Sequence, residues 1–280
     1  MKKRGKICLV AALALLLALS TVAQAEMYVE GFLGGNTAAN LGGASFHQSD
    51  VEQPPNGDNG PTGPIESFLN FQSNGATAPA VVGGARIGTW FVPTGFLGYA
   101  YPDWMKYLGF YTDISYHKLN VNRQSVRVDD FNDAGVFQGS FPGEFYSEGY
   151  VFTWAFMFAG RYGFFPDSEV PFGRLQPFVG VGPAILFTAM KPQAIAYNNG
   201  AVGGYANPNR DFAVVPALAV DAGVRYMALK NVSIDLTFRY RYAQPNFQFN
   251  FTDINGNPSS LNFSPTYNLF SGILGVAYHF

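Results

Sequence analysis

The chain has 280 residues, 17 basic and 19 acidic side chains for a formal net charge of −2, and is 48% hydrophobic but only 13% charged. That charged share is about half of what a soluble domain carries. The slightly acidic balance excludes a basic nucleic-acid-binding stripe, and a single cysteine, Cys8, excludes a disulfide framework or a thiolate metal cluster.

The first element is a targeting segment. Lys2, Lys3, Arg4 and Lys6 form a positive patch, Ile7 to Leu19 is an apolar run of 13 residues, and Ala23-Gln24-Ala25 supplies a small-x-small pattern. Thirteen helical residues span roughly 20 Å, short of a ~30 Å hydrocarbon core. The spacing predicts a signal peptide, residues 1–25, cleaved between Ala25 and Glu26. Cys8 leaves with it, and precedes most of the apolar run, which argues against a lipoprotein anchor. Residues 26–280 then hold 13 basic against 19 acidic side chains, a formal charge of −6. No later stretch is long and apolar enough for a membrane helix. A membrane-borne chain without such helices must satisfy its backbone in a closed barrel.

Period-2 alternation supplies the strands. Weaker ones run over about Met27–Gly35, Val81–Phe91, Gln176–Phe187 and Ala217–Ala228, with Glu30, Arg86, Asp221 and Arg225 marking an inner parity. In the third strand Leu108, Phe110, Thr112, Ile114 and Tyr116 alternate with Tyr111, Asp113, Ser115 and His117. The fourth sets Tyr150, Phe152, Trp154, Phe156, Phe158 and Tyr162 against Val151, Thr153, Ala155, Met157, Ala159 and Arg161. Six large aromatics on one parity are too bulky for a small barrel's interior and suit a lipid face with aromatic girdles. The seventh sets Ile234, Leu236, Phe238, Tyr240 and Tyr242 against Ser233, Asp235, Thr237, Arg239 and Arg241. The last sets Phe270, Leu274, Val276, Tyr278 and Phe280 against Ser271, Gly275, Ala277 and His279. In the Gln176 strand Pro177 and Pro183 each remove a ladder donor, which predicts a bulge or rim position for Pro183. Alternate connections are short, at about Val92–Lys106, Phe165–Arg174 and Leu229–Asn231; the others are long and rich in Gly, Asn, Pro and Ser. This predicts an all-β, transmembrane, antiparallel up-and-down barrel of eight strands, or ten if Glu66–Asn74 enters the membrane. Short turns and both ends lie on the periplasmic side, with long loops outside. Phe247, Phe249 and Phe251 continue the last loop as a hairpin around Asn255-Gly256.

Four stretches resemble the OmpA-like family of outer-membrane β-barrels: Tyr28–Gly35, Gly84–Phe91, Arg174–Pro183 and Gly272–Phe280. The resemblance implies a small barrel in the outer membrane of a Gram-negative bacterium, among lipid and lipopolysaccharide. It implies that Phe280, with Tyr278 two before it, is the signal read by the barrel-assembly machinery. It does not extend to a peptidoglycan-binding domain after Phe280, so that activity is not carried over.

Eight strands enclose a lumen that side chains just fill. The candidate lumen charges are Glu30, Arg86, Asp113, Arg161, Asp221, Arg225, Asp235 and Arg239, and buried charges must be paired. A hairpin turning at Leu229-Lys230-Asn231 sets Arg225 opposite Asp235 and Asp221 opposite Arg239. The reading that follows is a non-enzymatic anchor, plugged by paired charges, that displays long loops to a surface partner the sequence does not identify. A narrow conduit for small or apolar solutes is the alternative, while an open porin needs about 16 strands. A lipid A-modifying enzyme is a third reading. The chain resembles the lipid A deacylase family in barrel size, and that resemblance implies Ser-Asn just after a histidine; here His117 is followed by Lys118-Leu119-Asn120, and Ser115 lies about 7 Å along the strand, which disfavours this reading. The first two long loops are acidic, with Asp50, Glu52, Asp58, Asp129 and Glu144 among their residues, and read as a solvated rim; Asn56-Gly57-Asp58-Asn59-Gly60 lacks the spacing of a calcium loop. No catalytic residue, metal ligand or cofactor is expected.

Overall fold

The computed structural model describes residues 26–36, 40–42, 45–52, 65–72, 77–92, 101–131, 136–252 and 258–280. The targeting segment and Asn255-Gly256 lie outside them. In chain order the strands are β1 (Glu26–Asn36), β2 (Asn40–Gly42), β3 (Ser45–Glu52), β4 (Ile65–Gln72), β5 (Ala80–Trp90), β6 (Leu108–Lys118), β7 (Val121–Phe131) and β8 (Phe137–Arg161). There follow β9 (Leu175–Asn198), β10 (Ala201–Ala206), β11 (Asp211–Leu229), β12 (Val232–Ala243), β13 (Phe247–Thr252), β14 (Pro258–Phe263) and β15 (Thr266–His279). No helix among the described residues is long and apolar enough to cross a membrane.

Eight strands make a closed, antiparallel, up-and-down wall in the order β1, β5, β6, β8, β9, β11, β12, β15, and β15 pairs back onto β1. The wall has eight strands and not ten, because Glu66 lies in β4, which pairs only with β3 and β7 and stands off the wall. Facing outward are Leu33, Ile114, Trp154, Phe158, Val181, Leu236, Leu274 and Val276, all exposed. The opposite parity is buried: Tyr111, Ala155, Met157, Ser233, Thr237 and Ala277 among others. An apolar outside with polar residues inside is the inverse of a soluble barrel.

Pro183 occupies neither a bulge nor the rim. It sits in regular register opposite Leu218, and its missing N–H falls toward β8. There the ladder breaks between Ala155–Ala184 and Phe158–Val181 and resumes unshifted. The turn after β11 is tighter than the three-residue one expected, with Lys230 and Asn231 at its tip and a register shift between Met227 and Leu229. Arg225 nevertheless faces Asp235, and Asp221 faces Arg239.

The long connections carry structure of their own. From the far half of β8 a second sheet runs β7, β4, β3, β14, β13, while β10 folds onto β9. This sheet stands at the end opposite Glu26 and Phe280, here the loop end. The interior therefore has two parts. Toward the turn end it is polar and aromatic. Toward the loop end it is apolar, built on Leu119, Val126, Val128, Phe145, Leu186, Met190, Phe247, Phe249, Leu261, Phe263 and Leu269.

Candidate functional site

The feature with the most unusual chemistry is the cluster of buried charges inside the wall. Strand alternation aims Glu30 from β1, Arg86 from β5, Asp113 from β6, Asp221 and Arg225 from β11, and Asp235, Arg239 and Arg241 from β12 into one buried layer. Arg86 is its hub. Its guanidinium lies 3.0 Å from Glu30, 3.1 Å from Asp221 and 3.5 Å from Asp113, all with fully buried side chains. Gly275 makes room for this, since a Cβ there would stand 2.3 Å from the Glu30 carboxylate.

Asp221 also accepts from Arg241 at 2.7 Å and from the Tyr111 hydroxyl at 2.9 Å. Its cross-strand neighbour Arg239 is 3.5 Å from it and turns to Asp113 at 2.5 Å instead. Arg225 grips Asp235 through Nε, at 2.8 and 3.0 Å to the two oxygens, and through Nη2 at 2.5 Å. Four carboxylates thus meet four guanidiniums, Arg241 being the member not on the list of candidates. The layer carries no formal net charge, and acids and bases alternate through its contacts.

Rings close it on both sides. Arg225 lies over Tyr28 (4.1 Å), Arg86 over Tyr111 (4.5 Å) and Arg239 over Phe32 (4.7 Å). These contacts recover part of the hydration lost on burial. Several donors still have no acceptor, among them Arg225 Nη1 and Arg239 Nη1. Buried ion pairs of this kind add little net stability, because desolvation offsets much of their mutual attraction.

Arg161 does not join this layer. It donates to Glu26 through Nη1 and Nη2 (2.6 and 2.5 Å) and to Gln176 Oε1 through Nη1 (3.0 Å), and is sandwiched between Trp90 (4.2 Å) and Phe172 (4.1 Å). The partnership of Glu26 with Arg161, 135 residues apart, caps the turn end. Ala25 lies outside the described residues. Tyr278 faces outward from β15, and the Phe280 ring meets it edge-on at 5.2 Å. The Phe280 N–H donates to Met27.

Two histidines merit comparison with a nucleophile and base. His117 is buried beside Asn36 Nδ2 (3.4 Å) and the Lys118 carbonyl (3.0 Å). His279 Nε2 is 3.0 Å from Ser233 Oγ, and its Nδ1 is 3.9 Å from Glu26. Ser233, however, is fully buried and donates its hydroxyl to Asp235 at 2.9 Å, while Arg161 holds Glu26. An acyl-transfer serine must donate to its base and face an open site; this hydroxyl does neither. Among the described residues no group of three potential metal ligands converges.

No family model and no curated protein matches the chain. Among solved structures it is similar to the outer membrane protein OprG from Pseudomonas aeruginosa, at 11% identity over 92% of this chain and 97% of that one, with a TM-score of 0.39. It is also similar to Ail, the attachment invasion locus protein of Yersinia pestis (10% identity, 91% and 99% covered, TM-score 0.30). The outer membrane protease OmpT from Escherichia coli is a third likeness (11% identity, 92% and 98% covered, TM-score 0.28). Scores this low add nothing to the closure seen in the strand ladder, and no activity is drawn from them.

Proposed function

We propose that the chain is a non-enzymatic barrel of a Gram-negative outer membrane, sealed by its own side chains, that anchors the loop-end sheet outside the cell. The neutral Glu30, Asp113, Asp221, Asp235, Arg86, Arg225, Arg239, Arg241 layer carries the reading. A conduit needs a continuous polar path or a one-signed constriction, and this layer supplies neither. The outer belt supports the membrane setting. Along β8 and one residue past its end it runs from Tyr150 to Tyr162, which at ~3.3 Å per residue and a tilt of ~40° is roughly 30 Å. In this setting the turn end is periplasmic, Tyr278 and Phe280 present an aromatic pair at the turn end of β15 to the assembly machinery, and the loop-end sheet meets a surface partner.

Single-channel recording in planar bilayers tests the seal. The unmodified protein is expected to give no steady conductance, and the Arg86→Ala/Arg225→Ala pair to give brief openings. A steady ohmic conductance of the unmodified protein would overturn the reading. A mass shift of lipid A on incubation with the protein would overturn its non-enzymatic part.

A further inference from the structure

The outer surface of the wall is uncharged over most of its circumference. On β12, β15 and β1 the outward parity holds Ile234, Leu236, Phe238, Tyr240, Tyr242, Asn268, Phe270, Leu274 and Leu33, with no charge. The loop ends of β6, β8, β9 and β11 differ. There Lys118 stands opposite Tyr150, Tyr150 opposite Ala189, and Ala189 opposite Phe212, with Arg210 just before β11. The Tyr116 and Tyr150 rings lie 6.0 Å apart, and Arg210 lies over Tyr150 at 5.7 Å.

Among the described residues no carboxylate is within ion-pair distance of Lys118 or Arg210, whereas Arg123 farther out is paired with Glu144 at 3.2 Å. Glu148 faces Lys191 across the ladder. Asp211 turns its oxygens to the N–H groups of Phe212 and Gln248. Beside Lys118 runs an apolar groove of about 410 Å³, bounded by Ala78, Pro79, Val81, Tyr116 and Asn120. Cations, rings and groove meet at the level where the aromatic belt ends. Apolar chain and anionic head are there offered adjacent sites, and one occupant has both.

We propose that this face binds an outer-leaflet glycolipid carrying two phosphates, with Lys118 and Arg210 each taking one phosphate and the groove taking acyl chain. Arg210, just before β11, reaches back over Tyr150, which Lys118 faces from β6, so the two cations stand on either side of one ring and offer each phosphate of such a headgroup its own partner. Long flexible cations on aromatic footings reach a phosphate at a membrane surface, each contributing about a factor of five in affinity. The site rests on the outer-membrane reading above.

The test uses the purified protein in nonionic micelles, titrated with bisphosphorylated lipid A and followed by native mass spectrometry. A heat-modifiability gel first verifies that every variant is folded. The Lys118→Gln/Arg210→Gln pair is expected to weaken binding about thirtyfold. Lys230→Gln, at the opposite end, should leave it unchanged, and the fully dephosphorylated glycolipid should bind parent and variant equally weakly. Binding of the folded double variant within twofold of the parent overturns the site, as does equal binding of phosphorylated and dephosphorylated lipid. If the unmodified protein forms no heat-labile folded band in vesicles, the membrane-barrel reading fails as well. Folded protein without phosphate preference sinks the site alone.

Discussion

Strand β8 passes through two regions whose chemistry is inverted, although its parity never changes. In its turn-end half the inward residues are Thr153, Ala155, Met157, Ala159 and Arg161, and the outward ones Phe152, Trp154, Phe156 and Phe158. In its loop-end half the inward Phe145 joins the apolar core, while Glu144, Tyr146 and Glu148 face out. Backbone geometry is the same in both; in the membrane setting proposed above, the solvent on the outer face differs. Where that face is lipid, the inside can afford polarity only as a closed, neutral network. Where it is water, the inside reverts to the apolar packing of a soluble sheet. The two regions therefore fail differently.

The largest expected effect falls on the charged layer. Replacing Arg86 by Met leaves Glu30, Asp113 and Asp221 without their common partner, which should cost about 3–5 kcal/mol. Equilibrium urea unfolding in lipid vesicles measures it, and a loss below about 1 kcal/mol would show that the carboxylates need no hub. Next comes Phe249→Ala in the loop-end core. Its ring is buried and stacks on Phe247 at 5.8 Å, so about 3 kcal/mol should be lost. Hydrogen exchange should show that loss in β7, β13 and β14 while the amides of β11 and β12 stay protected. Protection falling equally in both would merge the two regions into one cooperative unit. Smaller still is Tyr111→Phe, which removes one hydrogen bond to a buried carboxylate and should cost about 1.5–2 kcal/mol in the same urea assay. No change there would assign Asp221 wholly to its arginines.

The charged region was far more legible in the sequence than the apolar one. Clean alternation over Ser233–Tyr242 identified β12 and its inner face, and opposite charges fixed its register against Arg225 and Asp221. Local pattern could not show which carboxylate each arginine finally reaches. Arg239 crosses to Asp113, 126 residues away, because closing the wall brings β6 within reach. Closure likewise joins Glu26 to Arg161, with Phe172 folded beneath from a turn that has no periodicity to read. The loop-end strands were hidden for a different reason. Inward residues of β7 switch parity from Val121 to Val126 and Val128 across the irregularity between Val121 and Gln124, so no period survives a simple reading. Pro183 misled because a missing donor need not bend a strand whose other ladder stays intact.

The smallest effect concerns the turn end, outside both interiors, and separates a local electrostatic device from the buried network. In the Phe165–Arg174 turn Asp167 accepts the N–H groups of Glu169 (2.9 Å) and Val170 (2.8 Å), and Arg174 donates to its other oxygen. The Val170 N–H and then the Arg174 guanidinium hold its carboxyl below the ordinary 3.8. A carboxylate whose folded value is depressed contributes stability above the unfolded value, and that contribution drains away as pH falls through the folded one. The Val170 amide shift should therefore titrate with a midpoint below 3.8, and Asp167→Asn should abolish the titration without changing urea stability at pH 7 measurably. Solvent screens an exposed turn of this kind, so the barrel should remain folded throughout the titration. A midpoint at or above the ordinary carboxylate value would show that the turn does not hold its aspartate. Unfolding of the whole wall in that pH range would show instead that the turn and the buried layer share their stability.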